Sequence, residues 1–313
     1  MRDDTLSSYS RLDLSKRLKS RQGLNFDIGP FRVSVRSSLS AIGDHIAEMY
    51  AEYSLADGDF ADLHFSIETP NLFRTLFRKQ VNFRFDDELA FKPLPYIQAR
   101  PFFEWGLNWC IATTAHQYLI IHAAVVAKTG YCAVIPGHPG AGKSTLCAAL
   151  VAAGWRLLSD EMALISLDSG KITPVPRPIS LKNESISIIR QRGGSDVFMG
   201  PSFADTHKGT VAHMRAPAHS VAASGVTATA AWVVYPGYRR DSTLLAKPVT
   251  ACQSILKLAD DSFNLPLLGG AGFEVLTNMA SACQSYELQY SDLDHAIAWF
   301  DELSAPHSGA AVK

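Results

Sequence analysis

Gly137-His-Pro-Gly-Ala-Gly-Lys-Ser144 fits the spacing G-x-x-x-x-G-K-[ST] at every constrained position. The residue types explain the pattern. Gly137, Gly140 and Gly142 allow positive φ, so that successive backbone N–H groups converge on one anion, while His138, Pro139 and Ala141 fill the turns between them. A helix beginning at Lys143 and running through Thr145 aims the positive end of its dipole at the same point. The Lys143 ammonium is placed to neutralise β- and γ-phosphates, and the Ser144 hydroxyl to ligate a Mg²⁺ ion carried by the nucleotide. The expected ligand is a nucleoside triphosphate.

The flanks suit such a loop. Tyr118–Ala127 and Tyr131–Pro136 are apolar, β-rich runs separated by Lys128-Thr-Gly130, which is turn chemistry. After the loop, Thr145–Ala153 is alanine- and leucine-rich and predicts a helix that Gly154 terminates. Arg156–Ser159 reads as a buried strand with Asp160 and Glu161 at its C-terminal end. Strand, loop, helix and strand in that order predict a βαβ unit whose acidic pair lies beside the loop, at the sheet edge where open α/β folds bind ligands.

Further out, residues 1–23 read as a mobile arm with a short helix through Leu12–Leu18. Residues 24–100 read as a small α+β domain. Phe31–Arg36 and Leu63–Glu68 alternate with period two, and Leu39–Tyr53 has helical spacing. An aromatic-rich helix is expected over Phe102–His116, and residues 101–313 are expected to form one catalytic domain. Leu244 to Leu258 and Leu288 to Ile297 read as packing elements and not as a site.

Composition narrows the class. A net charge of −1 leaves no electrostatic footprint for nucleic acid. The longest apolar run, Tyr118–Ala127, is too short to span a bilayer, so no membrane partner is expected. The polar N-terminal residues predict no secretory leader. Cys110, Cys132, Cys147, Cys252 and Cys283 are far apart and form no C-x-x-C pair, which points to reduced, mostly buried thiols in a cytoplasmic protein.

A phosphate loop alone does not separate kinases from ATPases or GTPases. The stretch IHAAVV…GHPGAGKSTL…GWRLLSDE resembles the catalytic core of the HPr kinase/phosphorylase family, and more closely its HPr-kinase-related subgroup. In that family a histidine lies on the strand before the loop and an aspartate closes the strand after the loop's helix. His122 and Asp160 match both spacings, whereas Glu161 stands where the family usually has a second aspartate. The likeness covers about residues 118–300 and is dense over 120–162. Downstream, Lys208-Gly-Thr-Val-Ala-His213 resembles a segment of the related subgroup, not the glycine-rich motif by which HPr kinases recognise HPr. That departure argues against HPr itself as the acceptor.

The resemblance implies an α/β fold, a P-loop kinase core of the HPr kinase/PEP carboxykinase type, with ATP and Mg²⁺ as cofactors and a homo-oligomeric assembly. It implies Asp160 as the base that takes the proton of an acceptor hydroxyl, serine first, on a protein, peptide or small metabolite. Ser144, Asp160 and Glu161 are the expected metal contacts, and His122 is expected to hydrogen-bond Asp160 or a phosphate oxygen. Lys208 and His213 are expected in a mobile loop, Asp205–Ala216, that closes over the acceptor. Arg190, Arg192 and Arg215 read as solvated surface residues. Two other readings share the motif. An NTP-gated binding module has no need of a base. Decarboxylation of the PEP carboxykinase type needs a metal-binding Lys/His pair and an oxaloacetate-binding arginine that these residues do not place.

Overall fold

The computed structural model describes residues 4–56, 58, 60–70, 79–138, 140–194 and 197–303 of the chain. It divides into two compact units. One takes the residues up to Ala115 together with Val175–Gly225; the other takes His116–Pro174 and the residues from Val226 on. The division is not the one expected at residue 100, because the chain leaves the first unit after Ala115 and returns to it for about fifty residues.

In the first unit, α1 (Arg11–Lys19) is capped by Ser10, whose hydroxyl accepts from the Asp13 amide at 3.2 Å. Leu14 and Leu18, one turn apart, are buried, as is Leu6. The helix foreseen within the arm is therefore present, but from Leu6 onward the segment is packed rather than mobile: burying a leucine contributes roughly 1.5–3 kcal/mol. There follow β1 (Leu24–Ile28), β2 (Phe31–Arg36), α2 (Ser40–Met49), β3 (Leu63–Glu68), β4 (Gln80–Phe85), β5 (Glu88–Leu89), β6 (Leu94–Pro95) and α3 (Ala99–Thr114). The strands form a sheet in the order β1-β2-β3-β4-β5 with β6 beside β4. Only β2 and β3 are parallel.

Helix α3 belongs to this unit because its aromatic face fits that sheet. Phe103 packs edge-on to Phe65 at 5.3 Å between ring centroids, and Phe102 meets Phe83 at 5.6 Å. Gly106 gives Phe83 room: a Cβ there would stand 2.0 Å from the ring.

The chain then enters the second unit with β7 (Tyr118–Ile121), β8 (Ala123–Lys128), β9 (Tyr131–Pro136), α4 (Lys143–Ala152), β10 (Arg156–Ser159), β11 (Ala163–Ser166) and β12 (Ile172–Thr173). The apolar run expected as one strand is two, in different sheets, and His122 is the residue between them.

Back in the first unit lie β13 (Ile179–Lys182), α5 (Glu184–Arg192), β14 (Phe203–Thr206), β15 (Gly209–Met214) and α6 (Ala218–Ala222). Arg177 explains the return. Its guanidinium donates to the Glu104 carboxylate at 2.9 Å and to the Asn108 side-chain amide oxygen at 2.8 Å, tying the segment to α3. Glu104, 2% exposed, also accepts from His45 Nε2 at 2.8 Å and from the Tyr50 hydroxyl. Burial alone would raise the Glu104 pKa. The His45 hydrogen bond and the Arg177 charge outweigh it and hold the carboxyl at about 2.

The second unit closes with β16 (Thr229–Tyr238), β17 (Leu245–Val249), α7 (Ala251–Asp260), α8 (Leu265–Ala282), β18 (Gln284–Tyr290) and α9 (Leu293–Glu302). Its main sheet runs β10-β8-β9-β16-β18-β17, and β12-β11-β7 form a smaller one. One face buries Val125, Val134 and Val233 against Leu258 of α7 and Leu276 of α8. The whole is a mixed α/β protein. Among the described residues no helix is long and apolar enough to cross a membrane.

Candidate functional site

The site begins with strand direction. β9 is antiparallel to β8 and β8 to β10, so β9 and β10 run the same way with β8 between them. β16 and β18 are parallel to β9 and to each other. The expected strand-helix-strand crossover is present, widened by one antiparallel strand. Four strands thus deliver their C-terminal ends to one edge, while β8 begins there. The Ala123–Pro136 pairing puts His122 level with the start of the glycine loop, and the Ser159–Val125 pairing brings Asp160 to the same edge. A β-bulge between Leu157 and Ser159 precedes the acid, a device that re-aims the residues after it.

The loop has the backbone its glycines permit. Gly137, Gly140 and Gly142 have φ of 140°, 92° and 91°. Gly142 is the left-handed N-cap of α4, and its carbonyl accepts the first helical bond, from the Leu146 amide at 2.9 Å. The amide of Ala141 donates to the His138 carbonyl at 3.1 Å, closing a turn. Lys143, 7% exposed, folds back so that its ammonium donates to the Gly137 carbonyl. The lysine thus lies in the first turn of α4, beside the backbone amides that a helix N-terminus leaves without intrahelical partners. Ser144 and Thr145 are half-buried in that turn, His138 is exposed, and Pro139 lies outside the described residues.

A tyrosine stands behind the loop. Tyr290, at the end of β18, is 1% exposed, and burial raises its phenol pKa above the ordinary value. Its hydroxyl lies 2.9 Å from where a Cβ on Gly142 would be.

The acids occupy the other side of the edge. Asp160 is 4% exposed. Its charge also acts on Cys147, one turn into α4: burial first, then the Asp160 carboxylate, raise that thiol's pKa. Asp160 is therefore electrostatically close to the helix that starts at the loop. Glu161 is half-buried, and its Oε2 lies 3.5 Å from His122 Nε2. His122 accordingly faces Glu161, whereas the partners expected for it were Asp160 or a phosphate oxygen. Its ring also meets Phe263 at 5.5 Å, and its amide donates to the Asp261 carbonyl at 2.8 Å.

Ser144, Asp160 and Glu161 are hard oxygen donors of the kind Mg²⁺ takes. Among the described residues no three His, Cys, Asp or Glu side chains cluster as a metal site. An ion here would draw further ligands from nucleotide phosphates and water.

The segment holding Lys208 and His213 corrects an expectation. It is a β-hairpin in the first unit, β14 and β15, and not a loop. Lys208 lies 5.0 Å over the Trp105 ring, and His213, 2% exposed, packs against His45. The hairpin registry explains this, since His213 pairs opposite Ser180 in the interior of a three-stranded sheet. Arg190 is not merely solvated, because it donates to the Gly200 carbonyl at 3.1 Å, and Arg215 lies over Phe198.

A cleft of about 590 Å³, not foreseen from the residues, opens beside Gly137, His138 and Ala141. Its walls come from Tyr235–Arg239, Leu245, Lys247, Lys257 and Glu287–Gln289. Of these, the residues within Leu244 to Leu258 and Leu288 to Ile297 read as packing elements; only the parallel alignment of β16 and β18 with β9 brings the strand ends to the loop. Comparison with known proteins found no family model that matches this chain and no curated relative.

Proposed function

We propose that the second unit is an ATP-dependent phosphotransferase: the Gly137–Thr145 loop holds a nucleoside triphosphate and Asp160 serves transfer of the terminal phosphoryl group to an alcohol. The observation that carries the reading is one sheet edge on which β8, β9 and β10 bring together His122, the glycine loop and Asp160. The resemblance of the same stretch to the HPr kinase/phosphorylase family agrees with it.

In this reading the loop amides and Lys143 bind the β- and γ-phosphates, in a site where their dipoles need no reorganisation. Ser144 and an acid of the Asp160-Glu161 pair would hold Mg²⁺, which would supply charge neutralisation on the phosphates. The acceptor hydroxyl gives its proton to the Asp160 carboxylate as its oxygen forms the new P–O bond, and the bond to the β-phosphate oxygen breaks. Glu161, paired with His122, orients the outer side of the site.

Transfer of ³²P from γ-labelled ATP to hydroxyl amino acids, peptides and proteins tests the proposal. Asp160→Asn should lower transfer about 10²–10⁴-fold, the usual weight of a general base, with Mg-ATP affinity unchanged. Undiminished transfer by that variant would overturn Asp160 as the base. ATP binding by the wild-type protein without transfer to any acceptor would favour an NTP-gated binding module.

A further inference from the structure

Beyond His122 the edge of the site is apolar. Phe263 is 51% exposed, and Leu267, in the first turn of α8, is 66% exposed. From Ser262 to Phe273 the sequence has no charged residue. Single exposed apolar side chains are ordinary on a protein surface. Phe263 differs from them in being fixed in place, and fixed against a residue of the site.

The fixing is done by backbone and by one asparagine. Ile121 of β7 pairs with Ala163 of β11 and also bridges to Ser262, so β7 lies between those two segments. The Phe263 amide donates to the Ile120 carbonyl at 2.9 Å, and the His122 amide to the Asp261 carbonyl at 2.8 Å. Asn264, 3% exposed, adds two bonds to the same strand. Its Oδ1 accepts from the Ile120 amide at 2.9 Å, and its Nδ2 donates to the Tyr118 carbonyl at 2.8 Å. Asn264 is the N-cap of α8, yet its side chain makes no cap hydrogen bond. The bond that an N-cap asparagine usually gives its own helix is replaced by a clamp on β7.

A row of contacts results. Glu161 Oε2 lies 3.5 Å from His122 Nε2, and the imidazole meets the Phe263 ring at 5.5 Å with 31° between the planes. With neighbouring strands about 4.8 Å apart, the segment holding Phe263 stands roughly 10 Å from β11, whose start follows the acids. That separation is two to three residues of extended chain. An acceptor whose hydroxyl meets the acids therefore reaches the exposed part of the Phe263 ring only with a group some residues away from that hydroxyl. Free serine is too short.

We infer that Phe263 is a specificity-determining residue for the acceptor, which is a peptide serine with an aliphatic or aromatic residue two or three positions from it. The inference rests on the proposed function, since it names the class of alcohol that the phosphotransferase takes.

Transfer of ³²P from γ-labelled ATP by the full chain tests it. The acceptors are four synthetic peptides with one serine, identical except that the residues two positions before and after it are leucine, phenylalanine, glutamate or lysine. kcat/KM should be about tenfold higher for the leucine and phenylalanine peptides, the scale on which one apolar contact discriminates. Phe263→Ser should lower kcat/KM for those two about tenfold, through KM, and close the gap to the charged peptides, with Mg-ATP affinity as in the wild-type protein. Equal wild-type rates on the four peptides would overturn the inference. So would rates that fall equally on all four in the variant, since Phe263 would then act through His122 alone. An unchanged preference in a variant that dissociates to monomers would assign Phe263 to a contact between copies of the chain. Transfer to free serine and to no peptide would overturn the inference and leave the phosphotransferase reading standing. Binding of ATP without transfer to anything would remove both.

Discussion

The Tyr290 hydroxyl stands 2.9 Å from the point that a Cβ on Gly142 would occupy, at a residue whose φ is 91°. Two independent constraints thus require glycine there. One is steric, the phenol of β18, and the other is conformational, since a left-handed backbone strains any L side chain by about 1–3 kcal/mol. The loop is shaped by its neighbour as well as by its own sequence.

Gly142→Ala should therefore weaken triphosphate binding tenfold or more, because relief of either constraint tilts the first turn of α4 away from the anion. Gly142→Ala with Tyr290→Phe should recover part of the loss, since the oxygen is gone and the left-handed strain remains. Titration calorimetry of the two variants and the wild-type protein separates the contributions. Full recovery would show that strain at Gly142 has no share.

The first unit carries its own test. Glu104 is held at about 2, below its ordinary 4.5, so its ion pair contributes stability that is complete above about 4.5 and disappears as pH falls toward 2. Glu104→Gln should destabilise this unit by about 3–5 kcal/mol at neutral pH, because it leaves Arg177 buried without its counter-charge. Denaturant unfolding across pH 2–7 should show less loss of stability at low pH in the variant than in the wild-type protein. Parallel pH profiles would mean that Glu104 is not the titrating group.

Thiol reactivity reports on packing in both units. Cys110, Cys132 and Cys147 are buried, and burial raises their pKa values; Cys283 is pushed to about 12 in the same way, while Cys252 at the start of α7 is exposed. Native labelling with Ellman's reagent at about pH 8 should modify Cys252 alone, since it is the exposed thiol of the five. Cys252→Ser should abolish the fast phase. Rapid labelling of Cys147 would contradict the packing of α4 against its sheet.

Much of the site's framework was legible because its signals are local. The glycines of the loop, the alanine-rich helix from Lys143, the stop at Gly154 and the strand ending at Ser159 each follow from a few adjacent residues. What was not legible depends on pairing between distant segments. Nothing near His122 shows that the chain changes sheets there, or that Glu161 meets its ring. The hairpin at Lys208 and His213 looks like a loop because small and polar residues fill it; its partner, β13, lies some thirty residues upstream. Nothing beside Arg177, which stands between two prolines, shows that it reaches Glu104 about seventy residues upstream. The cleft walls, from β16, β17 and β18, are likewise assembled by sheet order and by no motif.

The proposed chemistry requires a triphosphate whose terminal group reaches the acid after β10. A crystal structure with Mg²⁺ and a non-hydrolysable ATP analogue measures this directly. The β- and γ-phosphates should lie against the Gly137–Thr145 amides, with an Asp160 carboxylate oxygen about 3–4 Å from a terminal phosphate oxygen or joined to it through the metal. A loop without the nucleotide, or a terminal phosphate directed toward β17 and away from Asp160, would contradict it.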